Sequence, residues 1–237
     1  MAPQSRAPTV LLTRPAAQSA RFAADLRARH PDLTLLTSPL LTPTFLSPDL
    51  PDTAFTALIL TSETAVRAAR LLPGLPIHAF CVGTRTARAA TAAGFAATSA
   101  DGDVTALFTL ITTLRPKGPL LHLHGRDTTG DLGARLNSAG IETVSVPAYD
   151  QTLQPLSPQA TALLRSTTPI LAPVFSPRSA RALASECARI HATAPLTVVA
   201  ISPAAAAAFP DAIIAATPDA AAVLQAITSW LKPATLA

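Results

Sequence analysis

Short apolar runs recur along this chain, each followed by small polar residues and then by an alanine-rich stretch with helical spacing. The runs at residues 10–13, 58–60, 80–82, 120–123, 173–175 and 198–201 read as buried strands. The stretches 17–29, 64–72, 85–93, 104–114, 132–139, 179–191, 204–209 and 219–231 read as helices. Strand, turn and helix repeated in this order predict an α/β fold, with parallel sheets of Rossmann-like or flavodoxin-like type and helices on both faces.

The turns align with one another. Thr61-Ser62-Glu63-Thr64-Ala65 follows one strand and Gly83-Thr84-Arg85-Thr86-Ala87 the next. Ser176-Pro177-Arg178-Ser179-Ala180 and Ser202-Pro203-Ala204-Ala205-Ala206 stand at corresponding places later in the chain. A third helix in each set opens on a cap: Asp103 in the first, Thr217 with Pro218 at the first helical position in the second. The offsets are 115, 119 and 114 residues by subtraction, so residues 58–114 resemble 173–231. Each set needs one more strand–helix–strand. The first finds it at 120–123, 132–139 and 143–146, the second at 10–13, 17–29 and 33–36. Two similar domains are expected, one inserted into the other. The outer domain is 1–39 plus 153–237 and the inner is 45–148, with crossings at 40–44 and 149–152 inside the Pro-rich segments 38–51 and 147–158. A ligand is expected in a cleft between them, at the carboxyl ends of the strands.

Composition narrows the class. With 237 residues, 49% hydrophobic and 14% charged, the chain can bury a full core, which argues against global disorder. No stretch approaches the roughly 18 uninterrupted apolar residues of a membrane span, so no membrane partner is expected. Residues 1–8 carry no apolar core, so no secretory signal is expected. Cys81 and Cys187, far apart in apolar segments, suit a reduced, cytoplasmic protein better than a disulfide scaffold. The net charge is +4, and all of it falls outside the inner domain, where 8 basic and 8 acidic residues cancel. The basic residues are nearly all arginine, which suits an anionic partner and equally a GC-rich coding bias. There is no dense basic run and few aromatic side chains, so nucleic acid is not expected as a partner.

The strand-end turns set helix N-termini along one edge, where free backbone N–H groups and helix dipoles favour anions. The hydroxyls of Thr61, Ser62, Thr64, Thr84, Thr86, Ser176, Ser179 and Ser202 lie on the same edge. Any one of them alone reads as an ordinary N-cap; four aligned turns in two matching sets favour a ligand with several spread-out negative groups. No GxxxxGK[ST] loop and no GxGxxG after a strand occur, which counts against a nucleotide enzyme. Gly125-Arg126-Asp127-Thr128-Thr129-Gly130 is a turn into a helix, too generic to name a cofactor. His122 and His124 share one face of a strand. No cluster at ligand spacing joins them, so a structural or cleft-facing role is favoured over a metal site. Cys81 reads as core, and Cys187, with no nearby His to activate it, as inert. Tyr149, the only tyrosine, stands at the second crossing. There its phenol either reaches the cleft as a hydrogen-bond or proton donor or packs between the domains.

Taken in order, the short motifs resemble the uroporphyrinogen-III synthase family. They are Leu12-Thr13-Arg14-Pro15, Thr61-Ser62-x-x-Ala65-Val66, Val82-Gly83-x-x-Thr86-Ala87, the strand into Gly125-Arg126, the crossing with Tyr149, Phe175-Ser176-Pro177-x-Ser179-Ala180 and Ala200-Ile201-Ser202-Pro203. Each is weak alone; their order, spacing and interrupted layout are specific together, and they run through nearly the whole chain. The resemblance implies a cofactor-free, metal-free enzyme. Its substrate would be hydroxymethylbilane, a linear tetrapyrrole with eight carboxylates, closed to uroporphyrinogen III with ring D inverted. It implies Tyr149 as the group that assists loss of the terminal hydroxyl. It implies Arg14, Thr61, Ser62, Thr64, Gly83, Thr84, Thr86, His124, Gly125, Arg126, Ser176, Ser179 and Ser202 as substrate-binding positions. By the same analogy the protein is a monomer. One departure stands out: the family's last turn usually reads Gly-Pro-x-Thr-Ala, and here Ala205 removes the threonine hydroxyl while leaving the backbone N–H groups. The alternatives are a non-catalytic two-domain module binding a tetrapyrrole or other polyanionic small molecule, and a Rossmann-like nucleotide enzyme.

Overall fold

The computed structural model describes residues 8–127 and 130–231. Thr128 and Thr129 of the expected turn lie outside the described residues, as does the segment 1–7 read for a secretory signal. In chain order the elements are β1 (Thr9–Leu12), α1 (Ala16–Arg29), β2 (Thr34–Thr37), β3 (Leu41–Phe45), β4 (Ala57–Leu60), α2 (Glu63–Ala69), β5 (His78–Cys81), α3 (Thr84–Ala92), β6 (Ala96–Ser99), α4 (Val104–Leu114), β7 (Leu120–Gly125), α5 (Leu132–Ser138), β8 (Thr143–Leu153), α6 (Pro158–Leu164), β9 (Ile170–Val174), α7 (Pro177–Arg189), β10 (Leu196–Ala200), α8 (Pro203–Ala206), β11 (Ile213–Ile214) and α9 (Ala220–Leu231).

The chain divides into two compact units: a split unit, Met1–Thr42 with Thr152–Ala237, and a continuous unit, Pro43–Gln151. The split unit carries a sheet of order β11-β10-β9-β1-β2, with its neighbouring strands parallel. The continuous unit carries β3-β8-β7-β4-β5-β6, parallel from β8 to β6. Laying β4, β5, β6, β7 and β8 over β9, β10, β11, β1 and β2 makes the two orders coincide, with β3 added at one edge. The α/β class with two similar parallel sheets is therefore what the chain adopts, one arrangement entered at two different points.

Each sheet is covered on both faces, which is why its central strands are continuous apolar runs. In the continuous unit Leu58, Leu60, Leu121 and Leu123 pack with α2 and α3, while Ile59, Leu120, Leu107 of α4 and Leu136 of α5 fill the opposite face. In the split unit Leu11, Ala172 and Val198 pack with α6 and α7, and Val10, Leu12, Leu171 and Val199 with α1 and α9. Edge strands relax this rule: β6 alternates exposed and half-buried positions.

Most helices start where a side chain satisfies the first free N–H groups; α1 after Pro15 and α3 after Gly83 have no such cap. Ser62, Asp103, Asp131, Ser157, Ser176 and Ser202 each accept from a backbone N–H two or three residues on. The expected cap at Thr217 is corrected. Asp219 accepts from the Ala222 N–H at 2.8 Å, and Thr217 donates its hydroxyl to Asp219 at 2.7 Å. A carboxylate is the stronger acceptor at a helix start, so the helix opens two residues later. The helix expected over 64–72 ends at Ala69, ahead of Pro73-Gly74, and that over 204–209 ends at Ala206, ahead of Pro210. Residues 40–44 and 149–152, expected as crossings, are largely extended, in β3 and β8. The short elements β6, β11 and α6 are additions to the expected set. Among the described residues no helix is long and apolar enough to cross a membrane.

Leu58 is fully buried and Leu71 is 62% exposed. Leu58→Ala is expected to cost about 2–5 kcal/mol in urea unfolding, and Leu71→Ala no more than about 0.5 kcal/mol.

Candidate functional site

In the continuous unit, β4 hands its chain to α2 on one face of the sheet, while neighbouring β7 hands its chain to α5 on the other. Diverging connections of this kind leave a crevice at the carboxyl ends of the two strands. Here it is a cavity of about 250 Å³, lined among the described residues by Thr61, Ser62, Val104, His122, His124, Gly125, Asp127, Gly130, Leu132 and Tyr149.

Tyr149 reaches it through an irregularity in strand pairing. His124 pairs with Pro147 but Gly125 pairs with Tyr149, so Ala148 is an extra residue on β8. The bulge breaks the alternation of side chains and brings Ala148 and Tyr149 into one apolar cluster with Val146. The phenol then lies across Gly125. A Cβ there would stand 2.8 Å from the Tyr149 ring, so this strand end needs glycine for close approach rather than for a special backbone angle. The Tyr149 hydroxyl is 3.1 Å from Ser62 Oγ, which also accepts the Ala65 N–H at 3.0 Å as the cap of α2. In the orientation where Ser62 donates to Tyr149, the phenolic proton is free to point at a ligand. The Arg126 N–H donates to the Tyr149 carbonyl at 2.8 Å and fixes the backbone at the same point.

His122 and His124 stack along β7 with ring centroids 4.9 Å apart. The His124 Nδ1–H donates to the Gly125 carbonyl at 2.7 Å. His122 is buried, with Nδ1 3.3 Å from Ser145 Oγ. Burial pulls its pKa from 6.5 down to about 4; the His124 ring adds to the fall and the Asp131 carboxylate opposes it. Among the described residues no group of three His, Cys, Asp or Glu side chains could hold a metal ion. Burial pushes the Cys81 and Cys187 thiols up to about 11, which keeps both protonated and unreactive.

Of the residues singled out from the sequence, Thr61, Ser62, His124, Gly125 and Tyr149 come together around this cavity. Thr64 and Thr86 are buried instead, Thr64 accepting from Arg67 at 3.3 Å. Gly83 opens α3, and Thr84 donates to Asp101 at 3.2 Å beside an open depression that includes Arg85 and Arg88. Arg126 is exposed and pairs with Asp150 at 3.5 Å. In the split unit, Arg14 lies 3.9 Å over the Phe175 ring. Ser176 and Ser202 are spent on helix caps, and Ser179 bonds back to the Ser176 carbonyl at 3.0 Å. The sequence reading leaves His122 as structural or cleft-facing and names neither it nor Asp127 among the substrate-binding positions. The spacing of His122 and His124 already puts both on one strand face, and the missing information is the cavity on that face.

The fold and site together define a doubly wound α/β protein in which hydroxyls, a phenol and imidazoles, not a phosphate loop, meet at a topological switch point. The family model of uroporphyrinogen-III synthase HemD matches residues 21–225, and the chain belongs to this family. Among solved structures it is similar to uroporphyrinogen-III synthetase from Helicobacter pylori 26695, with 19% identity, 94% of this chain and 99% of that one covered, and a TM-score of 0.64. It also matches a mutant uroporphyrinogen III synthase from the extremely thermophilic bacterium Thermus thermophilus, with 17% identity, 95% and 99% coverage and a TM-score of 0.48. The first of these likenesses is one of fold. No curated protein sequence matches the chain significantly.

Two outcomes are expected. Gly125→Ala should push the phenol off Ser62 and change the near-ultraviolet tyrosine signal, which comes from Tyr149 alone, while the far-ultraviolet spectrum stays unchanged. His122 should titrate near pH 4 by NMR against an ordinary 6.5. Between those values the unfolded chain takes up a proton that the folded one refuses. The ring's contribution therefore loses stability as pH falls from about 6.5 to about 4, of order 3 kcal/mol in all, and is flat below. Urea midpoints across that window should be less pH-dependent in His122→Phe.

Proposed function

We propose that this chain is a hydro-lyase that closes hydroxymethylbilane to uroporphyrinogen III in tetrapyrrole biosynthesis. The observation that carries the reading is the Tyr149–Ser62 pair over Gly125, at the switch-point cavity of a chain in this family. The chemistry needs few groups. The terminal C–O bond breaks and the hydroxyl leaves as water on taking a proton, giving a cationic azafulvene. Ring D attacks through its substituted carbon to form a spiro intermediate, which fragments, recloses inverted and loses a proton. Substrate and product differ by one water, with no net redox change, so no cofactor is called for. Tyr149 is the proton donor to the leaving hydroxyl, and Ser62 sets the direction of that proton. Holding the reacting ends in attack geometry supplies much of the remaining acceleration.

Thr61, Ser62, His124 and Gly125 are proposed to meet the substrate through the cavity. Arg14, Arg126 and the helix-opening turns at Gly83, Ser176 and Ser202, with Thr84, Thr86 and Ser179 inside or behind them and Thr64 behind Ser62, are proposed to support its carboxylates. Backbone N–H groups serve that purpose where a side chain such as Ala205 lacks a hydroxyl. The protein is proposed to act as a cytoplasmic monomer on a small molecule, without nucleic acid or membrane.

With hydroxymethylbilane generated in situ, the oxidised product should be mostly the type III isomer by chromatography. Type I alone, at the spontaneous rate and with folded protein, would leave the binding module as the function. Tyr149→Phe should lower kcat by about 10²-fold while still giving type III, because the substrate loses its hydroxyl unaided.

A further inference from the structure

His122 is a polar group the fold leaves unfinished. It lies in the middle of β7, opposite Ile59 of β4 on one side and Ser145 of β8 on the other. It is 6% exposed, and its Nε2 is buried with no hydrogen-bond partner. An unpartnered buried nitrogen weakens a fold, and an apolar side chain of similar size would suit this apolar face better. Yet the ring stands in the wall of the cavity that also holds the Tyr149 phenol.

The rest of the wall says what kind of group would satisfy that nitrogen. Among the described residues the lining has no Lys or Arg, and it contains Asp127. A carboxylate would meet no Lys or Arg among those lining residues. A hydrogen-bond donor would meet an acceptor: Ser145 Oγ can accept from Nδ1–H, which leaves the Nε2 lone pair facing outward from the strand. Val104 and Leu132 add apolar surface against which a flat ring can lie. The volume, about 250 Å³, lies below the ~300–1,000 Å³ of drug-sized sites and suits one substituted ring rather than a whole tetrapyrrole. Nε2 has almost no exposure in this arrangement, so a wall side chain must turn as the ring enters. His124, half-buried with its ring centroid 4.9 Å away, is the neighbour on the same strand face.

We infer that this cavity is a subsite for a single pyrrole ring, whose N–H is accepted by Nε2 of His122. The inference takes its ligand from the function proposed above. His122 is then a substrate-contacting residue that holds one ring in register while Tyr149 works at the leaving hydroxyl.

The probe is a monopyrrole bearing one acetate and one propionate, compared with its furan analogue, in which oxygen replaces N–H without added bulk. Affinities are read by NMR titration on wild type, His122→Phe and His122→Gln. Wild type should bind the pyrrole about tenfold more tightly than the furan, with a shift of the His122 Nε2 resonance. His122→Phe should bind both alike while melting at a higher temperature, and His122→Gln, which keeps an acceptor, should recover part of the preference. An unchanged pyrrole preference in His122→Phe, or no pyrrole binding by wild type, would overturn the inference. If His122→Phe does not fold, loss of the preference in His122→Leu with retention in His122→Gln supports it, and equal preference in both overturns it. The synthase reading is scored separately by the isomer produced. Type III product with no pyrrole preference removes only this inference, and pyrrole preference without type III product removes only the synthase.

Discussion

A parallel strand covered by helices on both sides has almost no room for polar side chains along its length. In this protein β1, β4 and β9 are buried at every position. Polar chemistry is therefore displaced to the carboxyl ends, where the chain turns from strand into helix and backbone N–H groups await partners. Where neighbouring strands send their helices to opposite faces, the ends do not cover one another, and a cavity remains. The position of the site in the continuous unit thus follows from how the hydrophobic faces are closed. His122, at mid-strand, is the departure from the rule, which is why it invites a functional account.

At that position the parts of the site are also parts of the fold. Ser62 Oγ satisfies the Ala65 N–H at the start of α2 and at the same time holds the Tyr149 phenol. Gly125 ends β7, and by lacking a Cβ it lets the ring lie across the strand. The extra residue at Ala148 turns Tyr149 to the side on which Ser62 waits. Pre-organisation of this kind needs no strong acid or activated nucleophile, which accords with the already reactive substrate proposed above.

The internal repeat copies the architecture but not the Tyr149–Ser62 arrangement. Both sheets share one strand order, and both carry Ser-capped helices after their central strands. In the split unit the hydroxyls of Ser176 and Ser202 cap helices, that of Ser179 bonds back to the Ser176 carbonyl, Ala205 is buried, and Arg14 rests on Phe175. Gly125 and Tyr149 have no counterpart at the ends of β1 and β2, where Thr13 and Ser38 stand.

The α/β class, the repeat and the core of most elements were legible in the sequence because they rest on local periodicity and on strand–turn–helix punctuation. The short pieces β6, β11 and α6 were not, because segments of 2–7 residues carry too little pattern of their own and are held by neighbours distant in sequence. Tyr149 could be singled out as the only tyrosine, but whether it faced a ligand or merely packed was open. A one-residue bulge against β7 sets the ring beside Ser62 in the cavity wall, and a register step is a property of two strands rather than of either one. Likewise the sequence placed His122 and His124 on one face, and only the packing of α4, α5 and Ser145 around them left one nitrogen satisfied and the other bare. The sequence alone determined which of the longer segments are strands and helices and which residues could do chemistry. Tertiary structure decided which of those residues meet, since meeting depends on distances between segments that no local pattern encodes.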